Sequence, residues 1–414
     1  MLRRRTLGAA GGATILAGLL GRNRASAAEQ PPVKFGALIG LTGPSSVAGN
    51  DSYRCMQIAQ EEINAAGGVL GRKLTFVVQD DEGQPKAAVD AANLLANVEQ
   101  VPLAVGGYSS STALPAAQVF NEKRVVWITD ATTDKLKTVG PYCFAVAGLA
   151  DQAAGLVDFV KADHPDKQNL RLAGLFENNP IGQDRDTVSQ ARSKEIGVTW
   201  VHTMLYQPGN TDYRAELQQL VASKFDALLT DVYDNDTQVI QRQLYEMGVT
   251  NFSNFYGYDL SQYSRDPPQL NEGMKGLNYV TTGPHVDAFT KKFVAKYGHT
   301  PADAWAPPFY DAVWIAAIAA NMANSLDSTR IREMMWPAAY HYLGISGQGD
   351  KGFNMYGKQA QDQGEGQMYH DGKLVSYTPK GSKTNIVVFR YEGPEGVELD
   401  QAPTDDVFKK LYGG

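Results

Sequence analysis

The sequence predicts an α/β fold in which parallel strands alternate with helices, and three observations support this. Short apolar runs such as 103–105 and 125–129 have the length of buried strands. Turns rich in Gly, Ser or Asp end them, and segments with helical periodicity follow. The alternation starts at residue 33 and restarts near residue 152. It therefore predicts two doubly wound units of similar size with a cleft between them.

The elements can be placed in order from apolar periodicity and the turn residues between segments. The first unit is predicted to contain a strand from residue 33, a loop rich in Gly, Pro and Ser up to residue 50, a helix at 51–66, a strand at 73–78, a helix at 85–99, a strand at 103–105, a helix at 113–120 and strands at 125–129 and 142–146. The second unit is predicted to contain helices at 152–161, 183–196, 212–223 and 237–247, strands at 170–176, 198–204, 227–230 and 252–256, and loops at 178–182 and 231–236. After them we predict a strand at 277–281, helices at 287–297, 308–325 and 329–335, a hairpin at 368–375 with an Asp371-Gly372 turn, and a strand at 385–391.

The stretch LAVGGYSSST at 103–112 is the strongest candidate for a ligand site. It predicts a strand, a glycine turn and a helix that begins near Ser109 and Ser110. The first N–H groups of a helix are unpaired and lie at the positive end of its dipole, which favours an anion such as a ligand carboxylate. The alternative is that these serines only cap the helix.

The first 27 residues are predicted to be an export signal and not part of the fold. Three arginines at 3–5 precede an apolar run at 7–21, and Ala25-Ser26-Ala27 has the form of a cleavage site. The paired arginines and weakly hydrophobic core favour the twin-arginine route to the periplasm. A membrane anchor is the alternative, but about 15 apolar residues fall short of the roughly 20 that span a bilayer.

Charge and composition exclude several classes of partner. The net charge is −7, and loss of the first 27 residues, with five arginines and no acid, makes it −12. Nucleic acid and anionic lipid are therefore not expected as partners. The six histidines show no metal-binding spacing, so no metal and no cofactor is expected. Cys55 and Cys143 could pair in an oxidising compartment, and the sequence leaves this open.

Three kinds of enzyme fit the sequence poorly, so we do not expect an enzyme. The glycines after the first strand lack the spacing of a dinucleotide site. Ser109 does not lie in a GxSxG motif. Asp130 and Asp259 could face each other like glycosidase acids, but such loop acids are more commonly solvated or bind an ammonium group.

The segments at 64–95, 105–120 and 125–133 (NAAGGVLGRKLTFVVQDDEGQPKAAVDAANLL, VGGYSSSTALPAAQVF and VVWITDATT) together resemble the branched-chain amino acid binding proteins. These are type I periplasmic solute-binding proteins of ABC importers with a leucine-binding protein domain. The resemblance covers 33–375 and is looser in the second half. It implies two Rossmann-like lobes with parallel sheets, joined by three crossovers, and a ligand enclosed between them.

The resemblance also implies the site residues and the division of the chain. In the first lobe Ser109, with Ser110 beside it, would take the ligand carboxylate, and the Ala131 carbonyl and Thr133 would meet the ammonium and carboxylate. In the second lobe Tyr233 would reach the ligand and Asp259 would pair with its ammonium. The lobes would comprise 33–148 with 282–350, and 149–281 with 351–395, followed by a tail at 396–414. We expect a monomer that delivers its ligand to membrane permease subunits.

Some positions depart from the family pattern and put branched-chain specificity in doubt. Ile181 and Ala48 stand where relatives carry cleft aromatics, and Asp130 stands where Pro or Ser is common. An aromatic acid, an amide or a urea-type compound is therefore an alternative ligand. A ligand-sensing regulator is an alternative of a different class, although such regulators lack an export signal.

Overall fold

The computed structural model describes residues 30–146, 151–263, 266–279, 285–340, 342, 344–345 and 360–391. The predicted signal at 1–27 and tail at 396–414 lie outside these residues. No helix within the described ranges is both long and apolar enough to cross a membrane. In chain order the elements are β1 Val33–Ile39, α1 Ser46–Ala65, β2 Leu74–Asp80, α2 Pro85–Asn93, β3 Leu103–Gly106, α3 Ser110–Glu122, β4 Val126–Thr129, β5 Cys143–Ala145, α4 Asp151–Asp163, β6 Arg171–Glu177, α5 Pro180–Glu195, β7 Thr199–Tyr206, α6 Arg214–Ala222, β8 Ala227–Asp231, α7 Asp234–Glu246, β9 Phe255–Gly257, β10 Lys275–Tyr279, α8 Val286–Tyr297, α9 Pro308–Ala323, α10 Ser328–Tyr340, β11 Ala360–His370, β12 Lys373–Ser376 and β13 Ile386–Tyr391.

Five parallel strands form the first sheet, in the order β2-β1-β3-β4-β5. Strand β1 is buried at every position except Lys34, as expected for a parallel sheet covered on both faces. Helix α9 is apolar on most of its surface and packs with β1, β3 and β4 in one core cluster. Helices α8 and α10 also pack on this side. We call β1–β5, α1–α3 and α8–α10 the first lobe.

The second sheet has the order β12-β11-β10-β9-β8-β6-β7, and β13 also pairs with β11. The predicted parallel pairing is found for β6–β10, but β11 runs antiparallel to β10, β12 and β13. The predicted hairpin is confirmed: Asp371 and Gly372 both have positive φ (49° and 71°), as a tight two-residue turn requires. We call β6–β13 and α4–α7 the second lobe.

Each lobe is built from separate pieces of the chain. The chain passes from the first lobe to the second between β5 and α4, returns between β10 and α8, and passes again between α10 and β11. These three links include 147–150, 280–284 and 346–359, which are outside the described residues. The order of elements agrees with the two-lobe fold that the resemblance implies.

Several helices begin earlier than predicted, and two of them show why. Helix α5 starts at Pro180 and not at 183, because Asn179 Oδ1 accepts a hydrogen bond from Gly182 N at 2.7 Å and Pro180 suits the first turn. Helix α1 starts at Ser46, inside the segment predicted to be a loop. Gly49 lies against Gly40 there, and a Cβ on Gly49 would stand 1.9 Å from the Gly40 carbonyl oxygen. A tertiary contact therefore explains a glycine within this helix.

The glycine turn between β3 and α3 is required by close packing. Gly106 and Gly107 have φ of 148° and 71°. A Cβ on Gly106 would lie 1.7 Å from the Leu38 carbonyl oxygen, and one on Gly107 would lie 2.7 Å from the Trp127 ring. Glycine tolerates both the positive φ and the lack of space. The turn thereby places the start of α3 at the edge of the sheet.

The two cysteines are buried free thiols. Cys55 on α1 packs with α8, whereas Cys143 on β5 lies in a different cluster under α2 and α3. The pairing that the sequence left open is therefore absent.

Candidate functional site

The two lobes meet around a small cavity at the carboxyl ends of their parallel strands, the position where open α/β sheets bind ligands. Its volume is about 20 Å³, which is room for about one water molecule. The lobes must therefore separate to admit a solute. The lining side chains come from both lobes: Tyr108, Ser110, Asp130, Thr132 and Trp305 from the first, and Arg185, Asp231, Tyr233 and Gln262 from the second.

The serines of the first lobe are at the start of α3. Ser109 is the N-cap residue, and its Oγ accepts from Ser111 N at 3.3 Å and bonds Ser111 Oγ at 2.8 Å. Ser110, the first residue of α3, is buried and lines the cavity. The positive end of the α3 dipole thus faces the cavity. Capping by Ser109 and an anion site at Ser110 are compatible.

The segment after β4 alternates between the cavity and the interior. Asp130 and Thr132 line the cavity. Ala131 is buried, and its N–H donates to Thr129 Oγ1 at 3.1 Å. The Thr133 hydroxyl donates to Asp184 Oδ2 on α5 at 2.6 Å. Thr133 therefore joins the two lobes directly.

A buried ion pair forms one wall from the second lobe. Arg185 on α5 contacts Asp231 at the end of β8, with side-chain exposures of 5% and 4%. The guanidinium also lies over the Tyr258 ring, 4.3 Å from its centroid. Burial opposes the charged form of Arg185, but Asp231 and the neighbouring Tyr233 and Tyr258 outweigh burial, and the pKa of Arg185 is raised. Arg185 stays cationic inside the cleft.

Tyr233 extends from the second lobe towards the first. It is the residue before α7, and its backbone N–H donates to the Tyr206 hydroxyl at 3.1 Å. Its ring is half-buried and meets the Tyr108 ring edge to face, with centroids 6.4 Å apart and planes at 80°. The two tyrosines therefore close one side of the cavity from opposite lobes.

Asp259 lies after β9 and is buried but is not a lining residue. Its Oδ1 accepts from Ser261 N at 2.9 Å and from Ser261 Oγ at 2.5 Å. Its Oδ2 has no hydrogen-bond partner within the described part of the chain. Burial, and then the charges of Asp303 and Asp231, raise the pKa of Asp259 to about 7. A cation near Oδ2 would stabilise the ionised form of the Asp259 carboxyl group and so offset the effect of burial.

Asp303 brings a second buried carboxyl group from the first lobe. Its Oδ2 accepts from the Tyr108 hydroxyl at 2.7 Å, and its Oδ1 accepts from Trp305 N and Ala306 N at 2.9 Å each. It therefore fixes two residues of the cavity wall, Tyr108 and Trp305. The negative charges of Asp259 and Asp303 repel each other. Since the two residues belong to different lobes, this repulsion acts across the cleft.

The structure places the six predicted site residues around this cavity in different ways. Ser110 and Tyr233 line it, Ser109 caps α3 beside it, and Ala131, Thr133 and Asp259 are buried around it without lining it. The sequence did not identify Arg185, Asp231, Gln262 and Trp305. Asp231 could have been found, because it directly follows a predicted strand at the ligand-binding edge. Arg185 carried no such signal.

Ile181 and Ala48, which replace family aromatics, are buried outside the lining. Ile181 lies in the first turn of α5 and Ala48 in the first turn of α1. Neither contributes a ring to the cavity.

Two features outside the cleft are weaker candidates. A groove of about 570 Å³ runs beside α1 and residues 299–302, but it is lined by the first lobe alone, so lobe closure cannot enclose a solute in it. Glu272, His370 and Asp371 could form a metal site at the β11–β12 turn, but all are exposed. The two carboxylates approach opposite ring nitrogens of His370, at 3.3 and 3.8 Å, and do not converge on one point.

The sequence matches a protein-family model described as periplasmic binding protein over residues 32–382. Among individual relatives, Leu/Ile/Val-binding protein homolog 7 of Brucella abortus is 26% identical over 373 residues, which cover 84% of this chain and 91% of the relative. The amino acid binding protein of Pseudomonas aeruginosa is 29% identical over 224 residues, which cover 51% of this chain and 58% of the relative.

Solved structures show the same fold. The branched-chain amino acid transporter substrate binding protein LivJ of Streptococcus pneumoniae, in complex with isoleucine, superposes with a TM-score of 0.72 at 20% identity, covering 86% of this chain and all of that one (100%). An ABC transporter solute binding protein of Rhodopseudomonas palustris, in complex with 3,4-dihydroxybenzoic acid, gives a TM-score of 0.70 at 16% identity. The match covers 87% of this chain and 98% of that one.

Proposed function

Because the chain belongs to the periplasmic binding protein family, we propose that it is the solute receptor of an ABC importer and binds an amino acid between its lobes. The observation that carries the proposal is the make-up of the cavity. The N-terminus of α3 forms one side, and buried carboxylates lie at and behind the other walls. A zwitterion, with one negative and one positive end, fits that distribution of charge.

In this proposal the ligand carboxylate binds Ser110 and the first turn of α3, next to the Ser109 cap. The ammonium group binds Asp259, whose Oδ2 needs a donor, and donates a further hydrogen bond to the Ala131 carbonyl. Thr133 and Tyr233 complete the site as the lobes close. The first lobe would hold the ligand in the open state, and the second lobe would add contacts available only in the closed one.

The location and partners follow from family membership. We propose export to the periplasm and delivery to membrane permease subunits. The twin-arginine route remains a prediction from Arg3, Arg4 and Arg5, which lie outside the described residues. Relatives of this family bind solutes, and a binding role needs no catalytic group in the cleft.

A second candidate ligand is an aromatic acid without an amine. Three rings, those of Tyr108, Tyr233 and Trp305, line the cavity, and the Rhodopseudomonas palustris neighbour was solved with 3,4-dihydroxybenzoic acid. The buried carboxylates oppose this ligand, since it would bring no cation to offset them.

Mass spectrometry of the small molecule released by mild denaturation should identify the ligand class. Isothermal titration calorimetry after refolding should then compare α-amino acids with benzoates, amides and urea. We expect saturable binding of at least one α-amino acid. Binding of benzoates alone would contradict the proposal. Disruption of the gene should abolish uptake of the identified solute by cells, and unchanged uptake would argue against the importer role.

A further inference from the structure

We propose that Asp303 makes closure of the cleft depend on a positive charge, because its carboxylate acts on Asp259 from the opposite lobe. This inference rests on the proposed function and deepens it, since it names a residue that selects ligands with an ammonium group over carboxylic acids without one. Three observations carry it: the burial of both carboxyl groups, their attachment to different lobes, and the hydrogen bonds that each group receives.

The two carboxyl groups are buried, and each moves with its own lobe. Asp303 is 5% exposed and Asp259 is 3% exposed. Asp303 precedes α9 in the first lobe, and Asp259 follows β9 in the second. Separation of the lobes therefore draws the two groups apart, whereas closure brings them together away from water, where charges interact most strongly. Their repulsion opposes the closed arrangement and not the open one.

Asp303 is anchored behind the wall by three donors. The Tyr108 hydroxyl donates to its Oδ2 at 2.7 Å, and the backbone N–H groups of Trp305 and Ala306 donate to its Oδ1 at 2.9 Å each. Burial raises the pKa of Asp303, and these hydrogen bonds oppose that shift. Because such bonds favour the ionised form, a proton taken up by the pair is held better by Asp259.

Asp259 lacks the same support at one oxygen. Ser261 satisfies Oδ1 through its N–H and its hydroxyl, but Oδ2 has no hydrogen-bond partner among the described residues. Burial and then the charge of Asp303 are the main causes that raise the pKa of Asp259 to about 7. A positive charge at Oδ2, either a proton or the ammonium group of a ligand, would therefore relieve the repulsion.

On the second-lobe side, the neighbouring charged groups do not supply this positive charge. Asp231 also raises the pKa of Asp259, and it is paired with Arg185, the cation of the cavity lining. The hydroxyl of Tyr369 on β11 lies near Asp259, and its pKa is raised, so it stays neutral. Within the described residues, the lining cation of this lobe is thus already engaged.

The groups around Asp303 in the first lobe give the same result. Asp51 adds negative charge near Asp303, and it is paired with Arg54. Burial raises the pKa of the Cys55 thiol well above its usual value, and Asp51 and Asp303 raise it further, so the thiol stays protonated. In the part of the chain that the structure describes, the pair of carboxyl groups therefore depends on an outside cation.

A ligand without an amine would not relieve the repulsion. An α-amino acid brings its ammonium group to Asp259 Oδ2, so both carboxylates gain a favourable partner when the lobes close. A simple carboxylic acid adds a third negative charge, and closure around it requires uptake of a proton. Asp303 therefore acts against the wrong ligand, which is a common source of specificity.

Two matched pairs of ligands test the selection. L-leucine and 4-methylpentanoate differ only in the ammonium group, as do L-phenylalanine and 3-phenylpropanoate. We expect Asp303→Asn to lower the ratio of amino acid affinity to acid affinity at least tenfold in calorimetry at pH 8, because the amino acid loses an attraction and the acid loses a repulsion. An unchanged ratio, or equal loss for both ligands, would overturn the inference and leave the amino acid receptor intact. Binding of the acids and of no amino acid would instead overturn the proposed function.

Asp311→Asn is the matched control. This carboxylate of the same lobe is also buried, at 4% exposure, and accepts from the Tyr342 hydroxyl at 2.8 Å and from Ile345 N at 3.0 Å. Its replacement should change the ratio by less than threefold. A tenfold change in this control would show that loss of any buried carboxylate lowers selectivity, and would overturn the role of Asp303.

Closure without a ligand gives a second readout. At pH 8 both carboxylates are charged and repel, whereas at pH 5 Asp259 takes up a proton in the closed form. We expect small-angle X-ray scattering to give a smaller radius of gyration at pH 5 than at pH 8, and Asp303→Asn to be compact already at pH 8. The Asp311→Asn control should keep the full pH dependence.

A radius of gyration that does not decrease at pH 5, or an Asp303→Asn variant that keeps the full pH dependence, would overturn the inference. Circular dichroism verifies that each variant is folded. If Asp303→Asn does not fold, the pH dependence of the unmodified protein still decides.

Discussion

Arg185 and Asp231 form an ion pair that is almost completely removed from water, between helix α5 and the end of strand β8. The pair forms part of the second-lobe wall of the cavity, and its guanidinium lies over the Tyr258 ring. Charges buried this deeply are tolerated only because each has its partner.

Breaking this pair should destabilise the protein strongly. We expect Asp231→Ala to lower the free energy of unfolding by about 3–5 kcal/mol, because it leaves Arg185 charged and buried. Urea denaturation followed by circular dichroism measures the change. Asp158→Ala, which breaks the exposed pair with Arg192, should cost less than about 1 kcal/mol. A similar cost for both would show that the Arg185 pair is not desolvated in solution.

Removal of the Asp259 carboxylate should affect binding far more than folding. We expect Asp259→Ala to weaken an α-amino acid ligand about a hundredfold or more, because the ammonium would lose a buried partner. Calorimetry measures the affinity, and thermal unfolding serves as the control for an intact fold. Little change in affinity would mean that the ligand places no ammonium there.

The bond between Thr133 and Asp184 links the lobes without any ligand and should favour the closed arrangement. Lys135 Nζ donates to Gln183 Oε1 at 3.0 Å beside it. We expect Asp184→Ala to shift the population towards the open form, which small-angle X-ray scattering detects as a larger radius of gyration. Affinity should fall several-fold, because the closed state becomes less populated. Asp186→Ala, on the same helix, is a control; an equal effect from it would contradict the role of Asp184.

The buried carboxyl groups of the second lobe should make stability fall as pH rises. Burial raises the pKa of Asp266 to about 7 and that of Glu177 to about 8, with Asp231 and Asp236 adding to the shift of Glu177. Above pH 4 the unfolded chain loses these protons while the folded chain keeps them, so unfolding becomes easier until the folded pKa is passed. Asp163, whose pKa is lowered to about 2, acts in the opposite direction but only below pH 4.

We therefore expect the free energy of unfolding to be lower at pH 8 than at pH 5, as measured by urea denaturation. Glu177→Gln should reduce the difference, since it removes one of the titrating groups. A stability that rises between pH 5 and pH 8 would contradict this assignment.

The two thiols should be unreactive in the folded protein. Cys55 and Cys143 are buried and free, and burial raises the pKa of both, which suppresses the reactive thiolate. We expect no reaction with a thiol reagent under native conditions and two equivalents in 6 M guanidinium, a denaturant that exposes both side chains. Reaction without a denaturant would show that one of these regions opens readily.

The family resemblance inferred from the sequence is confirmed by the match over residues 32–382. The alternation of strands and helices could be predicted because parallel strands buried on both faces are continuous apolar runs. Errors were concentrated where tertiary contacts override local signals. Gly49 suggested a loop, yet α1 runs through it because the helix packs against Gly40.

The candidate site was predictable only in part. Ser110 could be placed at the cavity because it follows a strand at the edge where ligands bind, whereas Tyr233 was assigned through the family resemblance. Thr133 and Asp184 are 51 residues apart in the chain, and no sequence pattern indicated that their side chains meet.

The sequence by itself determined the α/β class, the two similar units and the strand-end segments that carry the cleft, because these depend on local periodicity and turn chemistry. The tertiary structure alone decided that Arg185 is buried against Asp231, that Thr133 reaches Asp184 on the other lobe, and that Asp259 and Asp303 share the cleft. Burial and charge pairing depend on which distant segments come together, and a linear pattern of residues does not specify which segments those are.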